Sequence, residues 1–312
     1  MPPRSPLPQR LGLDAAWART PDRDRDPGRM PQPTTMGGWL RERFGARVDV
    51  SALLAELRFV YESGSPVRGD DPYRSNTFVW FHRDLPDEAV VPGRIRIVYR
   101  DERIVVVDKP PFLSTIPRGQ HVRQSVVVRM RDELGLPELS PLHRLDRVTS
   151  GLVLLATEKR WRGPYQSLFE RREVGKVYRA MAAHRPDLPL PVTVRNHLVK
   201  HRGRMQAEVV PDAAPNAESL VERESILADG AVYRLTPHTG RTHQLRVHML
   251  GLGIPIFGDP LYPTVQDVPV HDFRTPLQLL ADELSFVDPV DGRPRRFRST
   301  RTLPLRSEVA ES

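Results

Sequence analysis

The spacing of apolar residues changes twice along the 312-residue chain. Residues 1–36 contain few of them and are rich in Pro and Arg, with a charged run at 22–26. Such a stretch buries little and is expected to be a disordered tail. From Met36 the spacing becomes helical, with Trp39, Leu40 and Phe44 followed by Leu53, Leu54 and Leu57. A turn-rich stretch at 63–71 and a strand-like run at 77–81 come next. Two short helices and a strand or hairpin are therefore expected to form a small accessory unit over 37–91.

A denser pattern begins at Ile95. The runs 95–99, 104–107, 152–156, 177–181 and 231–235 are rich in β-branched and apolar residues and predict strands. Helical patterns at 125–134 and 243–250 lie between some of them. Long βα alternation is absent. The prediction is an α+β domain on a mixed, mostly antiparallel sheet over 92–306, with a short tail at 307–312. No internal repeat is evident.

Composition narrows the chemistry. There is no cysteine, so thiolate nucleophiles, Cys-based zinc sites, iron–sulfur clusters and disulfides are excluded. No apolar run has the length of a membrane span, and the first twenty residues lack the apolar core of a secretory signal; a cytoplasmic protein is expected. Lys and Arg number 47 against 39 Asp and Glu, a formal charge of +8. Most of the basic residues are Arg, which grips phosphate bidentately and stacks on bases. A polyanionic partner and a simple compositional bias toward Arg account for this equally well.

Four segments carry candidate chemistry. In His143-Arg144-Leu145-Asp146-Arg147-Val148-Thr149-Ser150-Gly151, polar residues crowd a turn at the mouth of a core strand. Asp146 lies close in sequence to Arg144 and Arg147; a nearby guanidinium favours an ionised carboxylate, suited to nucleophilic or base work. Taken alone, the same residues are better read as Arg and Asp stapling a turn. The segment from Pro237 to His248 contains Arg241, His243, Gln244 and Arg246. Thr239 or Thr242 could cap a helix there, with Gly251 at its C′ position. His243 and His248 are five apart, which argues against two metal ligands on one helix face. The other two segments are Gly175-Lys176-Val177-Tyr178-Arg179-Ala180, whose Tyr reads as a half-buried core residue unless it shares a cleft with Asp146, and the turn-forming Gly258-Asp259-Pro260-Leu261-Tyr262-Pro263, which on composition alone is structural.

In this order, these strings resemble the RluA-type family of pseudouridine synthases. The similarity runs from about residue 92 to about residue 298. It includes Val107-Asp108-Lys109-Pro110, HRLDRVTSG, KVYRA, HTGRTHQLRVHMLGLGIPIFGDPLY and LQLLADELSF. The stretches 82–86 and 109–119 look like an actinobacterial-type subgroup. The resemblance implies a sheet of the pseudouridine synthase type and an isomerase acting on RNA without metal or cofactor.

Carried onto this chain, the resemblance puts the catalytic aspartate at Asp146, the active-site tyrosine at Tyr178 and the aspartate's basic partner at Arg241. Arg144 would assist base extrusion. Arg147, His143, Thr149, His243, Gln244 and Arg246 are expected on the substrate side. Leu279 or Leu280 would supply an apolar residue beside the carboxylate. The family usually has Leu-His-Ala in that segment, whereas Leu279-Leu280-Ala281 stands here, so any hydrogen bond of that histidine is lost. The expected partner is structured RNA, ribosomal or transfer, bound by a monomer with no role for a membrane. Competing readings are a non-catalytic RNA-binding or ribosome-assembly protein and, more remotely, a metal-dependent hydrolase using His143, His243 and His248.

Overall fold

The computed structural model describes residues 2–22, 34–46, 48–85, 87–119 and 121–306. They divide into two units, Met1–Asp87 and Glu88–Ser312.

The first unit contains β1 (Ala16–Arg19), α1 (Met36–Phe44), α2 (Val50–Ala55), β2 (Val60–Tyr61) and β3 (Phe78–Phe81). Thr35 starts α1 by accepting the Gly38 N–H at 3.1 Å, and Asp49 starts α2 by accepting the Ala52 N–H at 3.0 Å. The strands pair antiparallel in the order β1-β3-β2. One face of the sheet, carrying Ala18, Val79, Phe81 and Tyr61, packs on Trp39, Leu40, Leu53 and Leu54 from the helices.

The whole of 1–36 was expected to be an unstructured tail. Instead, Ala16–Arg19 is an edge strand, with Trp17 opposite Trp80 and Arg19 opposite Phe78. Its AWAR sequence alternates in period two over only four residues, and its stability comes from β3, which lies far along the chain. Residues 23–33 of that expectation, and the 307–312 tail, lie outside the described residues.

The second unit continues with β4 (Arg96–Arg100), β5 (Ile104–Lys109), α3 (Val126–Leu134), β6 (Ser140–Pro141), β7 (Ser150–Ala156), α4 (Lys159–Glu170) and β8 (Gly175–Ala182). Then follow β9 (Val192–Asn196), β10 (Leu198–Val199), β11 (Glu208–Val209), β12 (Ala217–Leu227), β13 (Gly230–Pro237), α5 (Gln244–Gly251), β14 (Leu279–Val287) and β15 (Pro294–Arg298). The main sheet runs β4-β5-β7-β14-β8-β13-β12-β9, with β15 on β14 and β6 on β7. Every pairing is antiparallel except β14 with β7. This is the α+β architecture with a mixed, mostly antiparallel sheet that the strand pattern predicts.

Strand alternation decides which core each residue enters. Val105 and Val107 of β5, and Val153 and Leu155 of β7, join α3 and α5 in one core. Their neighbours Ile104, Val106, Leu152 and Leu154 join Tyr165 and Leu168 of α4 in a second. Both faces of the central strands are thus buried, which explains their near-continuous apolar sequence. Helix α4 was not anticipated, because Gly163-Pro164 inside it looks like a break.

Candidate active site

The loop between β6 and β7 carries Asp146, and several contacts fix it. Leu145 and Val148 are buried in the first core. The Thr115 hydroxyl donates to the Leu145 carbonyl at 2.8 Å and accepts its N–H at 3.1 Å. The Thr149 N–H donates to the Asp146 carbonyl at 3.1 Å, closing the turn. The fully buried Lys109 ammonium donates to the carbonyls of Pro110, Leu113 and Arg147 at 3.0, 2.8 and 3.1 Å. Burial, with Arg301 nearby, pushes its pKa well below the ordinary value. Gly151 ends the string at φ +109°, and a Cβ there would stand 2.3 Å from the Ala281 carbonyl oxygen. Only glycine allows β7 and β14 to run parallel at that point.

Asp146 opens onto a groove of about 2230 Å³ that also receives Tyr178, Arg144, Arg147, Arg241, His243, Arg246 and Leu279. Basic side chains outnumber acidic ones in its lining, with Arg118, Arg172, Lys176, Lys200, Arg202 and Arg204 adding to the arginines already named. Leu280 is absent from the lining; it is fully buried in β14 opposite Ser150, whose hydroxyl has no hydrogen-bond partner among the described residues. Alternation along β14 therefore decides between the two leucines, and Leu279 is the one on the groove.

Arg241 does not meet Asp146 as expected. Its Nε donates to the Asn216 carbonyl at 3.2 Å, and the residue is exposed. The guanidinium beside the carboxylate is that of Arg246, with Nη1 3.6 Å from Asp146 Oδ2. The Arg246 side chain is 2% exposed and that of Asp146 34%. Asp259 holds Arg246 from behind, accepting from Nε at 2.8 Å and from Nη2 at 2.5 Å. The Asp259 Oδ1 also accepts the Leu261 and Tyr262 N–H groups at 2.8 and 3.1 Å. The guanidinium lies over the Tyr262 ring, 5.2 Å from its centroid. Burial opposes the charge on Arg246, but the bonds to Asp259 and the field of both carboxylates raise its pKa above the ordinary value.

The remaining predicted residues divide into those facing the carboxylate and those shaping its loops. His243 Nε2 lies 3.8 Å from Asp146 Oδ2, and its Nδ1 is 2.9 Å from the Tyr262 hydroxyl. Burial lowers its pKa. His243 sits at φ +59° as the residue capping α5, a role expected of Thr239 or Thr242. Thr239 instead donates to Gln244 Oε1 at 2.7 Å and accepts the Glu218 N–H at 2.9 Å. Gln244 is buried; its Oε1 also accepts the Arg241 N–H and its Nε2 donates to the Glu218 carbonyl and Ser219 hydroxyl. That makes it the clamp of the loop before α5. His143 Nε2 accepts the Leu154 N–H at 3.1 Å and its ring stacks on Phe169 at 5.0 Å. Burial lowers its pKa to about 3, so it is a neutral brace. Arg144 is exposed on the groove. Arg147 is half-buried, its Nη1 has no hydrogen-bond partner among the described residues, and burial lowers its pKa. Tyr178 is half-buried, and burial with the Asp146 charge pushes its phenol above the ordinary range. His248 points away from the carboxylate to Asn196 Oδ1 at 3.0 Å.

Asp259, Tyr262 and Thr115 were not singled out for the site. Their contribution rests on tertiary contacts, and only the place of Gly258-Asp259-Pro260-Leu261-Tyr262 in the longer string hints at it. Among the described residues no cluster of three or more His, Asp or Glu could hold a metal ion, and no helix is long and apolar enough to cross a membrane.

A buried arginine presented to an aspartate in a basic groove over a mixed sheet defines a class, and comparison with known proteins identifies it. Residues 103–250 match the family model for RNA pseudouridylate synthase. The dual-specificity RNA pseudouridine synthase RluA of Yersinia pestis is 32% identical over 209 residues, covering 65% of this chain and 97% of that protein. The human pseudouridylate synthase RPUSD2 is 33% identical over 201 residues, covering 63% of this chain; the chain spans only 35% of the human protein's length. The solved structure of human RNA Pseudouridylate Synthase Domain Containing 1 aligns with a TM-score of 0.54 and 26% identity, covering 67% of this chain and 86% of that one. The chain belongs to the RluA-type family of RNA pseudouridine synthases.

Proposed function

We propose that this chain converts a uridine of large-subunit ribosomal RNA to pseudouridine, with the Asp146 carboxylate as the catalytic group and Arg246 as its basic partner. The observation that carries the assignment is the Asp259–Arg246–Asp146 chain, in which a clamped, buried guanidinium leaves one face for the carboxylate. The reaction moves uracil from an N1–C1′ to a C5–C1′ bond. The target base must leave its stack to reach the groove, at a cost of a few kcal/mol. Arg144 at the rim and Arg147 beside Asp146 would offset this through the RNA backbone and the vacated stack. The Asp146 carboxylate then attacks a carbon of the nucleoside or removes a sugar proton, the N1–C1′ bond breaks, and the freed uracil turns to bond C1′ through C5, losing the C5 proton. Tyr178, which lines the same groove, would pack on the freed uracil and help remove the C5 proton late in the reaction.

The protein is expected to act as a cytoplasmic monomer, with the unit before residue 88 adding affinity for RNA. Transfer RNA is the second reading of the target. It is favoured by the mitochondrial tRNA pseudouridine(32) synthase of Saccharomyces cerevisiae, 32% identical over 184 residues, of whose length the chain spans 39%. Asp146→Asn tests the chemistry: tritium release from C5-labelled uridine in RNA should vanish while the folded state persists. Turnover by a folded Asp146→Asn protein would refute the assignment. Carbodiimide mapping of total RNA with and without the gene distinguishes ribosomal from transfer RNA.

A further inference from the structure

The sheet of the first unit has a second face, away from its helices. Trp17 and Trp80 are direct register partners, as are Arg19 and Phe78, so all four side chains share that face. One end of it is covered, with Trp80 buried beside Val60 under Leu7. The other end is open. Trp17 is 46% exposed, and its ring centroid lies 5.5 Å from that of the half-buried Phe78. The Arg19 guanidinium sits 5.4 Å from the Phe78 centroid, with no ion pair to any described carboxylate. A large exposed indole, a second ring behind it and a cation that pairs with no described carboxylate lie together on this face.

We infer that this open end of the β1–β3 face is a stacking platform for unpaired bases of RNA. Every base offers a π-face to an exposed indole, and the neighbouring guanidinium suits the phosphate that follows. Bulk charge does not carry the argument; the pairing of rings with an arginine that meets no described carboxylate does. The inference rests on the RNA-directed reading of the first unit and specifies it: contact runs through the sheet face built by β1, not through the helices. The ligand class is single-stranded RNA with little sequence preference, since the face presents rings and one cation rather than a set of base-edge donors and acceptors. This places a second grip on the RNA, on a different unit from the groove.

The test uses the full-length protein and an unstructured RNA dodecamer of adenosine and cytidine, which offers no uridine to the groove. Trp17→Ala should weaken binding, read by fluorescence anisotropy, by roughly 5- to 150-fold. Trp17→Phe should stay within a few-fold of wild type, because it keeps an aromatic face. RNA should quench the wild-type tryptophan emission, and the quenched component should be missing in Trp17→Phe. Arg19→Ala should weaken binding and flatten its dependence on salt. Equal dodecamer affinity of Trp17→Ala and wild type overturns the platform, as does unquenched emission at saturating RNA. A dimer that Trp17→Ala converts to monomer in sedimentation also overturns it, making the occupant a second copy. In each of these cases an active enzyme that loses turnover with Asp146→Asn leaves the catalytic assignment standing.

Discussion

Replacing Arg246 tests the proposed site most directly, provided its two carboxylate partners are treated separately. Arg246 is 3.6 Å from Asp146, which at an effective dielectric of about 20 corresponds to an attraction of about 4–5 kcal/mol. Asp146 is a third exposed, so solvent screening reduces this toward the value of about 1 kcal/mol found in bulk water. Taking about 2–3 kcal/mol as the hold Arg246 keeps on the carboxylate, a reaction that needs Asp146 in this position should slow by roughly 30- to 150-fold when that hold is lost. The stability effect has a different source. Arg246→Ala leaves Asp259 buried without its cation, and breaking a buried pair in that way costs about 3–5 kcal/mol. A slow, poorly folded single variant would therefore prove little. The double substitution Arg246→Met with Asp259→Asn removes both charges, and the amide introduced by the second change still offers an oxygen to the Leu261 and Tyr262 N–H groups. Urea denaturation should show the double variant more stable than Arg246→Ala, while single-turnover tritium release stays depressed in both. Arg241→Ala, which changes an exposed residue, should weaken RNA binding more than it slows a saturated reaction. Near-wild-type turnover by the double variant would refute the role of Arg246. Arg241→Ala matching its loss at saturating RNA would return the partnership to Arg241.

Three further outcomes follow from the same geometry. Tyr178→Phe keeps the ring against the base and removes the hydroxyl; kcat should fall about 100-fold with KM nearly unchanged, and a fully active Phe variant would leave the residue a packing role only. His143 is held neutral at a pKa of about 3, against about 6.5 when unfolded, so the unfolded chain binds more protons below pH 6.5. The stability this contributes is present above pH 6.5 and is lost as pH falls toward 3, at up to about 1.4 kcal/mol per pH unit; His143→Gln should flatten urea midpoints measured between about pH 7.5 and 4.5. Gly151→Ala places a Cβ 2.3 Å from the Ala281 carbonyl at a left-handed φ and should cost about 3 kcal/mol or more, visible as a lower thermal midpoint or loss of soluble protein.

What the sequence made legible depends on how local the cause is. The strands β5 and β7 were readable because burial on both faces leaves a run of apolar residues in the chain itself. Strand β1 was not, since four alternating residues among prolines have no signal without β3 beside them. Helix α4 was hidden by a proline that it accommodates within its first two turns.

The aspartate's partner shows the same limit inside the site. HTGRTHQLRVH contains two arginines, and the resemblance assigns the partnership to Arg241 and only a substrate-side place to Arg246. Their separation is physical. His243 takes a left-handed backbone and starts α5, so Arg241 is left in the preceding loop, where its own N–H is taken by Gln244. Arg246 falls in the first turn of the helix, on the side facing Asp259 and Asp146. The deciding residue is Asp259, thirteen positions downstream of Arg246 in a turn that reads as purely structural. It fixes two of the guanidinium's nitrogens and so determines which arginine can serve the carboxylate. A site of this kind is specified by what stands behind its charged groups, and that information enters only when the chain is folded.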